Sequence, residues 1–305
     1  MLKTCIVLGL WGVPFFSQWV QALELQVPKQ KVMIFVLDGI RPMDVSRTTF
    51  PELYRVLDRK NKSKVFGLTP KTQPCLVSNP YRISLPAYSD MLSGIRQETV
   101  TENNLRRPLT HPTWIDQFVQ KGMPGSWFSV FTSWERIAEV VSQTVIPEGM
   151  MVSSGLHPGE TPPPWHDARY DTDTIKQIDR YFFEEKHHPT FSFVVFNDTD
   201  EWAHENQFER YTQAIRADEK YIASFIQQLE SDPFYREQTT YLVTTDHGRG
   251  TTPETFHGHG SEVEGAQYIW AFLIPPSNAQ ITFDESEILQ QCTQLGLNRM
   301  VMQLL

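Results

Sequence analysis

Four short segments gather residue types that handle metal ions and anions. The densest lies at 246–260, where Asp246-His247-Gly248-Arg249-Gly250 is soon followed by His257-Gly258-His259-Gly260. Three of the nine histidines fall there within 13 residues, beside an acid. Imidazole is a common metal ligand, and glycine lets a chain turn sharply around a bound ion. The second segment holds Asp200 and His204, four apart, so one helical turn puts both on one face. Carboxylate oxygen with imidazole nitrogen suits zinc. The third is Asp38-Gly39, directly after an apolar run, although Asp-Gly is also a common turn pair. The fourth runs from Ser84 to Gly94 and reads as one helix, with Ser84 as N-cap, Pro86 in the first turn and Gly94 as the stop. Unpaired N–H groups at such a helix start are where an anionic ester would dock. A serine there becomes a nucleophile if a bound dication lowers its pKa.

Each segment alone has an ordinary reading as a turn, a capped helix, a solvated pair or a polar loop. Their joint occurrence points to a metal site with two ligand sets. Asp38, Ser84, Asp246 and His247 form one, and Asp200, His204 and His259 form the other. Two dications would balance three carboxylates and a serine alkoxide, leaving a near-neutral site that accepts a small anionic ester.

The elements that must position these residues are apolar runs at 32–37, 127–130, 191–196, 240–244 and 269–274. Near-continuous apolar runs indicate strands covered on both faces. Helical patterns lie between them at 114–120, 172–183 and 207–229, and a last amphipathic helix is expected around 287–305. Strands alternating with helices predict an α/β fold, a doubly wound and mostly parallel sheet with helices on both faces. Ligands of such sheets bind beyond the carboxyl ends of the strands, where the four segments fall. The stretch 132–165, rich in Gly and Pro, reads as a long excursion over one end of the sheet.

The chain has 305 residues, 40 % of them hydrophobic, which is enough for a sizeable core and excludes a disordered chain or a small disulfide scaffold. Its formal charge of −9 argues against a partner such as a nucleic-acid duplex. Residues 1–22 have the layout of a secretory signal peptide: a Lys, an apolar run interrupted by Pro14, then Val20 and Ala22 before a cleavage point. The run is too short to span a bilayer, and no other segment is apolar enough. The expectation is an exported protein, periplasmic or secreted, with one metal-dependent hydrolase domain at 23–305. Cleavage leaves Cys75 and Cys292, for which a bridge and two free thiols both stay open. Asn-x-Ser/Thr triplets stand at Asn61 and Asn197.

The motifs VLDGIRP at 36–42, RISLPAYSDMLSG at 82–94, DTDEWAH at 198–204 and TTDHGRG at 244–250 with the later HG at 259–260 resemble, in this order, the alkaline phosphatase superfamily, and within it the nucleotide pyrophosphatase/phosphodiesterase-like branch. The resemblance implies a two-zinc hydrolase of phosphate esters, other divalent ions being possible, that works through a phosphoseryl intermediate. Asp38, Asp246 and His247 resemble ligands of the nucleophile-side metal, and Asp200, His204 and His259 those of the water-side metal. Ser84 resembles the nucleophile. His259 is preferred over His257 because the family places its ligand His-Gly shortly before a strand entry like Gly265-Ala-Gln-Tyr-Ile-Trp270. The branch also uses an Asn after the nucleophile helix on the transferred group, for which Asn103 and Asn104 are both candidates.

Two departures from the family patterns bear on substrate. Sulfatases carry x-Pro-x-Arg after the nucleophile, and here Tyr88 stands where the Arg would be. The monoesterase branch places an Arg soon after its nucleophile, and here none follows Ser84 until Arg96. The first argues against a formylglycine-type sulfatase, and the second favours a diester or another singly charged ester. The alternatives are a phosphomonoesterase, a phosphonate-ester or sulfate-ester hydrolase, a catalytically inactive metal-binding protein, and a plain exported binding protein. Tyr81, Tyr88, Trp134, Trp165 and Trp202 could line a substrate wall, with ordinary packing as the favoured reading.

Overall fold

The computed structural model of the chain describes residues 28–69, 73–165, 168–278, 292–302 and 304–305. The expected signal peptide lies outside the described residues.

The strands are β1 Lys31–Leu37, β2 Lys64–Phe66, β3 Cys75–Leu76, β4 Phe128–Thr132, β5 Met151–Ser154, β6 Phe191–Phe196, β7 Thr239–Thr244, β8 Tyr268–Ile269 and β9 Ala271–Ile274. The described helices are α1 Pro51–Arg59, α2 Ser84–Ser93, α3 Trp114–Gln120, α4 Asp171–Asp179, α5 Asp198–His204, α6 Phe208–Leu229 and, numbered here as α7, Gln294–Met302. Seven strands form one sheet in the order β2-β9-β7-β1-β6-β4-β5, and β3 pairs with β8 in a two-stranded ribbon. β1, β4, β5, β6 and β7 run parallel, while β9 is antiparallel to both β7 and β2.

The sheet is covered on both faces, as the apolar runs require. Val32, Ile34 and Val36 of β1 point into one core with Leu85, Met91 and Leu92 of α2, Ile115 of α3 and Leu297 of α7. Met33, Phe35 and Leu37 point the other way, against Leu53 of α1, Ile178 of α4 and Ile222 and Phe225 of α6. Alternate side chains leave a strand on opposite faces, so a strand buried twice must be apolar throughout.

Several expected bounds shift. The run at 269–274 is two strands, because β8 pairs with β3 in the ribbon while β9 pairs with β7 and β2 in the main sheet; Trp270 stands between them and gives its indole N–H to the Ile40 carbonyl, 3.1 Å away. The 132–165 excursion contains β5, paired in parallel with β4. The helix expected at 172–183 ends as a π-helical turn at Arg180–Glu184. Of the helix expected around 287–305, α7 is what is described. Cys75 and Cys292 are bonded, and this bridge ties the start of α7 to the ribbon. The Asn197 amide is buried and donates to Glu201, 3.0 Å away, so that triplet is structural in the folded chain.

Candidate metal centre

β7, β1 and β6 are neighbours, so their carboxyl ends form one rim. Register pairs Leu37 with Phe196 and Val36 with Thr244. Asp38 therefore leaves β1 between the segments that carry Asp200 and Asp246.

The first cluster forms around His247. Its Nδ1 lies 2.9 Å from the Gly248 carbonyl, which can only accept, so Nδ1 holds the proton and Nε2 presents a lone pair. That Nε2 faces Ser84 Oγ at 3.2 Å, Asp246 Oδ2 at 3.3 Å and Asp38 Oδ1 at 3.5 Å. All four residues are buried. Asp38 Oδ1 and Asp246 Oδ2 have no hydrogen-bond partner, whereas the other oxygen of each carboxylate is bonded: Asp38 Oδ2 by the Tyr88 hydroxyl at 2.6 Å and Asp246 Oδ1 by the Gly39 N–H at 3.0 Å. Buried acceptors without donors are costly. Two carboxylate oxygens and an imidazole lone pair converging on one point fit a cation, and the ligand atoms lie within 4.8 Å of one another.

The second cluster forms around Asp200. Its Oδ2 lies 3.0 Å from His204 Nε2 and 3.8 Å from His259 Nε2, and the two Nε2 atoms are 3.0 Å apart. His259 Nδ1 faces the Arg82 carbonyl at 3.2 Å, which again leaves Nε2 as the lone-pair nitrogen. Asp200 and His204 come from α5, one turn apart. The rings of His247 and His259 stack at 3.9 Å, so the clusters adjoin.

Electrostatics follow burial and crowding. Burial, then the neighbouring Asp246 and Asp200 charges, pushes Asp38 well above the usual carboxylate range. The same burial and Asp200 raise Asp246 to about 6. Burial lowers His247 to about 4, and burial with the adjacent His247 lowers His259 to about 3, so both are neutral at pH 7. Burial opposes the charge on Asp200, yet His204, Arg249 and His259 together hold its carboxyl well below the ordinary value. Asp200 in turn raises His204.

The paired candidates separate. His259 is in the cluster, while His257 is exposed and outside both. The Asn103 side-chain oxygen accepts the Leu85 N–H at 3.0 Å, which sets it beside Ser84, whereas Asn104 is exposed. Two expectations about α2 need correction. Ile83 is the N-cap and Ser84 the first helical residue, because the Ser84 hydroxyl faces His247 instead of capping the helix. The N–H groups at this helix start are also largely engaged: Leu85 bonds Asn103, Pro86 has none, and Ala87 bonds Ile83. Trp134 and Trp165 are buried, with Trp165 edge-on to Trp202 at 4.7 Å, which is packing.

Residue-type reasoning did not single out Arg249. It is fully buried, bonds Asp200 Oδ1, and donates to the Gly39 carbonyl at 2.7 Å and the Phe256 carbonyl at 3.0 Å. Nor did it single out Gln294 of α7, whose amide bonds the Asp246 carbonyl. Gly39 sits at φ +66°, and a Cβ there would collide with the Asp200–Arg249 pair.

The Metalloenzyme superfamily family model matches residues 167–292, which contain Asp200, His204, Asp246, His247 and His259. A protein of Bacteroides thetaiotaomicron described as a sulfatase superposes with a TM-score of 0.62 at 14% identity, over 88% of this chain and 68% of that one. TAB5 alkaline phosphatase, a His135Asp mutant with Mg bound in its M3 site, superposes at 0.54 and 10% identity over 92% and 99% of the two chains. The chain has an alkaline phosphatase-like fold. The same fold is seen in the C-terminal periplasmic domain of a Campylobacter jejuni phosphoethanolamine transferase, with a TM-score of 0.54 and 10% identity over 88% and 87%. No curated protein matches the sequence. Among the described residues no helix is long and apolar enough to cross a membrane.

Proposed function

We propose that the chain is an exported metal-dependent phosphohydrolase of phosphodiesterase type, with one catalytic domain at 23–305. The observation that carries this reading is the convergence of Asp38 Oδ1, Asp246 Oδ2 and the His247 Nε2 lone pair beside the Ser84 hydroxyl. Asp38, Asp246 and His247 would hold one dication with Ser84 at its edge, and Asp200, His204 and His259 a second. Zinc suits both nitrogen–oxygen sets. Bound there, the metals would neutralise the carboxylates, lower the Ser84 pKa and stabilise charge on the transferred group.

Ser84 Oγ loses its proton to solvent and attacks phosphorus, the bond from phosphorus to the leaving oxygen breaks as the phosphoseryl bond forms, and the departing alkoxide takes a proton from solvent to leave as the alcohol. Water then hydrolyses that ester and restores the hydroxyl. Asn103, held beside Ser84 by the Leu85 N–H, would offer its amide to a non-bridging oxygen. A diester is favoured because nearby arginines are turned elsewhere. The Arg82 guanidinium donates to the Ser261 carbonyl, Arg96 lies over the Tyr81 ring, and Arg249 is bound to Asp200, Gly39 and Phe256. None of these clamps the extra oxygen charge of a monoester. Export is supported by the layout of residues 1–22 and by the Cys75–Cys292 bond, which suits an oxidising compartment.

The test is Ser84→Ala against phosphate diester, phosphate monoester, phosphonate ester and sulfate ester, with zinc content measured in parallel. Diester turnover should fall by several orders of magnitude while bound zinc persists. Unchanged turnover would remove Ser84 from the mechanism, and a preference for monoester or sulfate would reassign the branch.

A further inference from the structure

The two ligand clusters adjoin but differ in charge. Around His247 stand two buried carboxylates, Asp38 and Asp246, and their outer oxygens are bonded by neutral donors, the Tyr88 hydroxyl and the Gly39 N–H. Among the described residues the carboxylate that meets both His204 and His259 is Asp200, and its outer oxygen is bonded by the Arg249 guanidinium. In the deprotonated form that would bind an ion, with neutral imidazoles, Asp38 and Asp246 give the first cluster a formal −2, whereas Asp200 with Arg249 gives the second zero. Arg249 cannot swing away. It is fully buried, its Nε and Nη1 donate to the Gly39 and Phe256 carbonyls, and the Asp200–Arg249 pair fills the space that any side chain at position 39 would need.

We propose that Arg249 makes the two metal sites unequal: the Asp38/Asp246/His247 site retains its dication, whereas the Asp200/His204/His259 site is a weak, exchangeable site filled according to ambient metal. This inference rests on the reading of the clusters as metal sites. A fixed positive charge bonded to the carboxylate of a site opposes a dication there, and burial strengthens that opposition. His204 lies at the mouth, with 42% of its side chain exposed, so the weak site is also the one open to solvent. Hydrolysis would then depend on metal supply outside the protein.

The experiment is a Zn²⁺ titration of the full metal-free chain by calorimetry and chelator competition. Two binding steps should appear, with dissociation constants at least about a hundredfold apart. In Arg249→Gln, which removes the charge and keeps a donor for Asp200, the weak step should tighten at least about tenfold, with the tight step changed by less than about threefold. Arg249→Lys, which keeps the charge, should leave the two steps apart. Two equal wild-type sites would overturn the inference while leaving the metal centre intact. Weakened second-site binding in folded Arg249→Gln would show that Arg249 only positions Asp200, and would also overturn it. If that variant does not fold, the wild-type titration and Arg249→Lys decide. Binding of no zinc would overturn the metal-centre reading and this inference with it.

Discussion

Tyr88→Phe isolates a single hydrogen bond in the candidate centre. The Tyr88 ring is buried and packs edge-on to Phe193 at 6.4 Å, and phenylalanine preserves that packing. Only the hydroxyl goes, and with it the 2.6 Å bond to Asp38 Oδ2. Burial holds the Tyr88 phenol well above its ordinary pKa, so it is a constant donor across the working range. A hydrogen bond to a charged group contributes about 1.5–3 kcal/mol. At about 1.4 kcal/mol per factor of ten, Asp38 as a metal ligand should lose about 10–100-fold in zinc affinity at the His247 site. The metal-free fold should lose less, because there burial and Asp246 already favour the neutral carboxyl at Asp38. The assay is chelator competition for the tight zinc, with diester hydrolysis followed against free zinc. The activity curve should move to higher zinc, with turnover at saturation reduced less. Zinc affinity unchanged within about twofold would refute the argument that Tyr88 orients Asp38.

Three further outcomes are expected. His259→Ala should abolish the weaker zinc step and most hydrolysis, while His257→Ala should change neither; the titration used for Arg249 reads both. Asp90, raised to about 7 by burial, keeps its proton when folded over a window in which the unfolded chain, with a carboxyl near about 4, has lost it. Folding stability should therefore fall as pH rises from about 4 to about 7 and level off above. Asp90→Asn should flatten that slope and gain up to about 4 kcal/mol at pH 8, read by urea unfolding of the metal-free chain at pH 5 and 8. Breaking the Cys75–Cys292 bond, whose partners are 217 residues apart, should cost up to about 5 kcal/mol by the chain-entropy argument. It should also weaken zinc binding, because Gln294 two residues on holds the Asp246 carbonyl; serine variants in urea and zinc titrations check both.

The sheet was legible because β1, β4, β6 and β7 are buried on both faces and therefore built mostly of apolar and β-branched residues. β5 was not, since its four residues sit inside a Gly- and Pro-rich stretch and take strand form only by pairing with β4. The acidic and histidine side chains that converge on the rim were legible as candidates from residue type and from their place after apolar runs. The choices between His257 and His259, and between Asn103 and Asn104, rested on identical side chains one or two positions apart, and tertiary geometry separates them. The Ser84 hydroxyl was misjudged by one helical position because a serine before a helix commonly caps it; here a histidine 163 residues away engages it instead. Tyr88, Arg249 and Gln294 act only through contacts with distant backbone or carboxylate atoms, and no local spacing announces such contacts.

Those outer contacts explain how three carboxylates can crowd one rim. Asp38, Asp246 and Asp200 each have one oxygen fixed by a donor behind them, respectively the Tyr88 hydroxyl, the Gly39 N–H and the Arg249 guanidinium. Each therefore presents the other oxygen inward in one orientation. A carboxylate free to rotate could chelate an ion with both oxygens or turn away from its neighbours' charge; these three are denied both options. Gly39 is central to the arrangement: its N–H orients Asp246, its carbonyl anchors Arg249, and its missing side chain admits the Asp200–Arg249 pair. One residue thus joins both clusters. An alanine there would face a strained positive φ and a collision with that pair, so Gly39→Ala should disturb the two zinc steps together, whereas Tyr88→Phe and Arg249→Gln should each act on one.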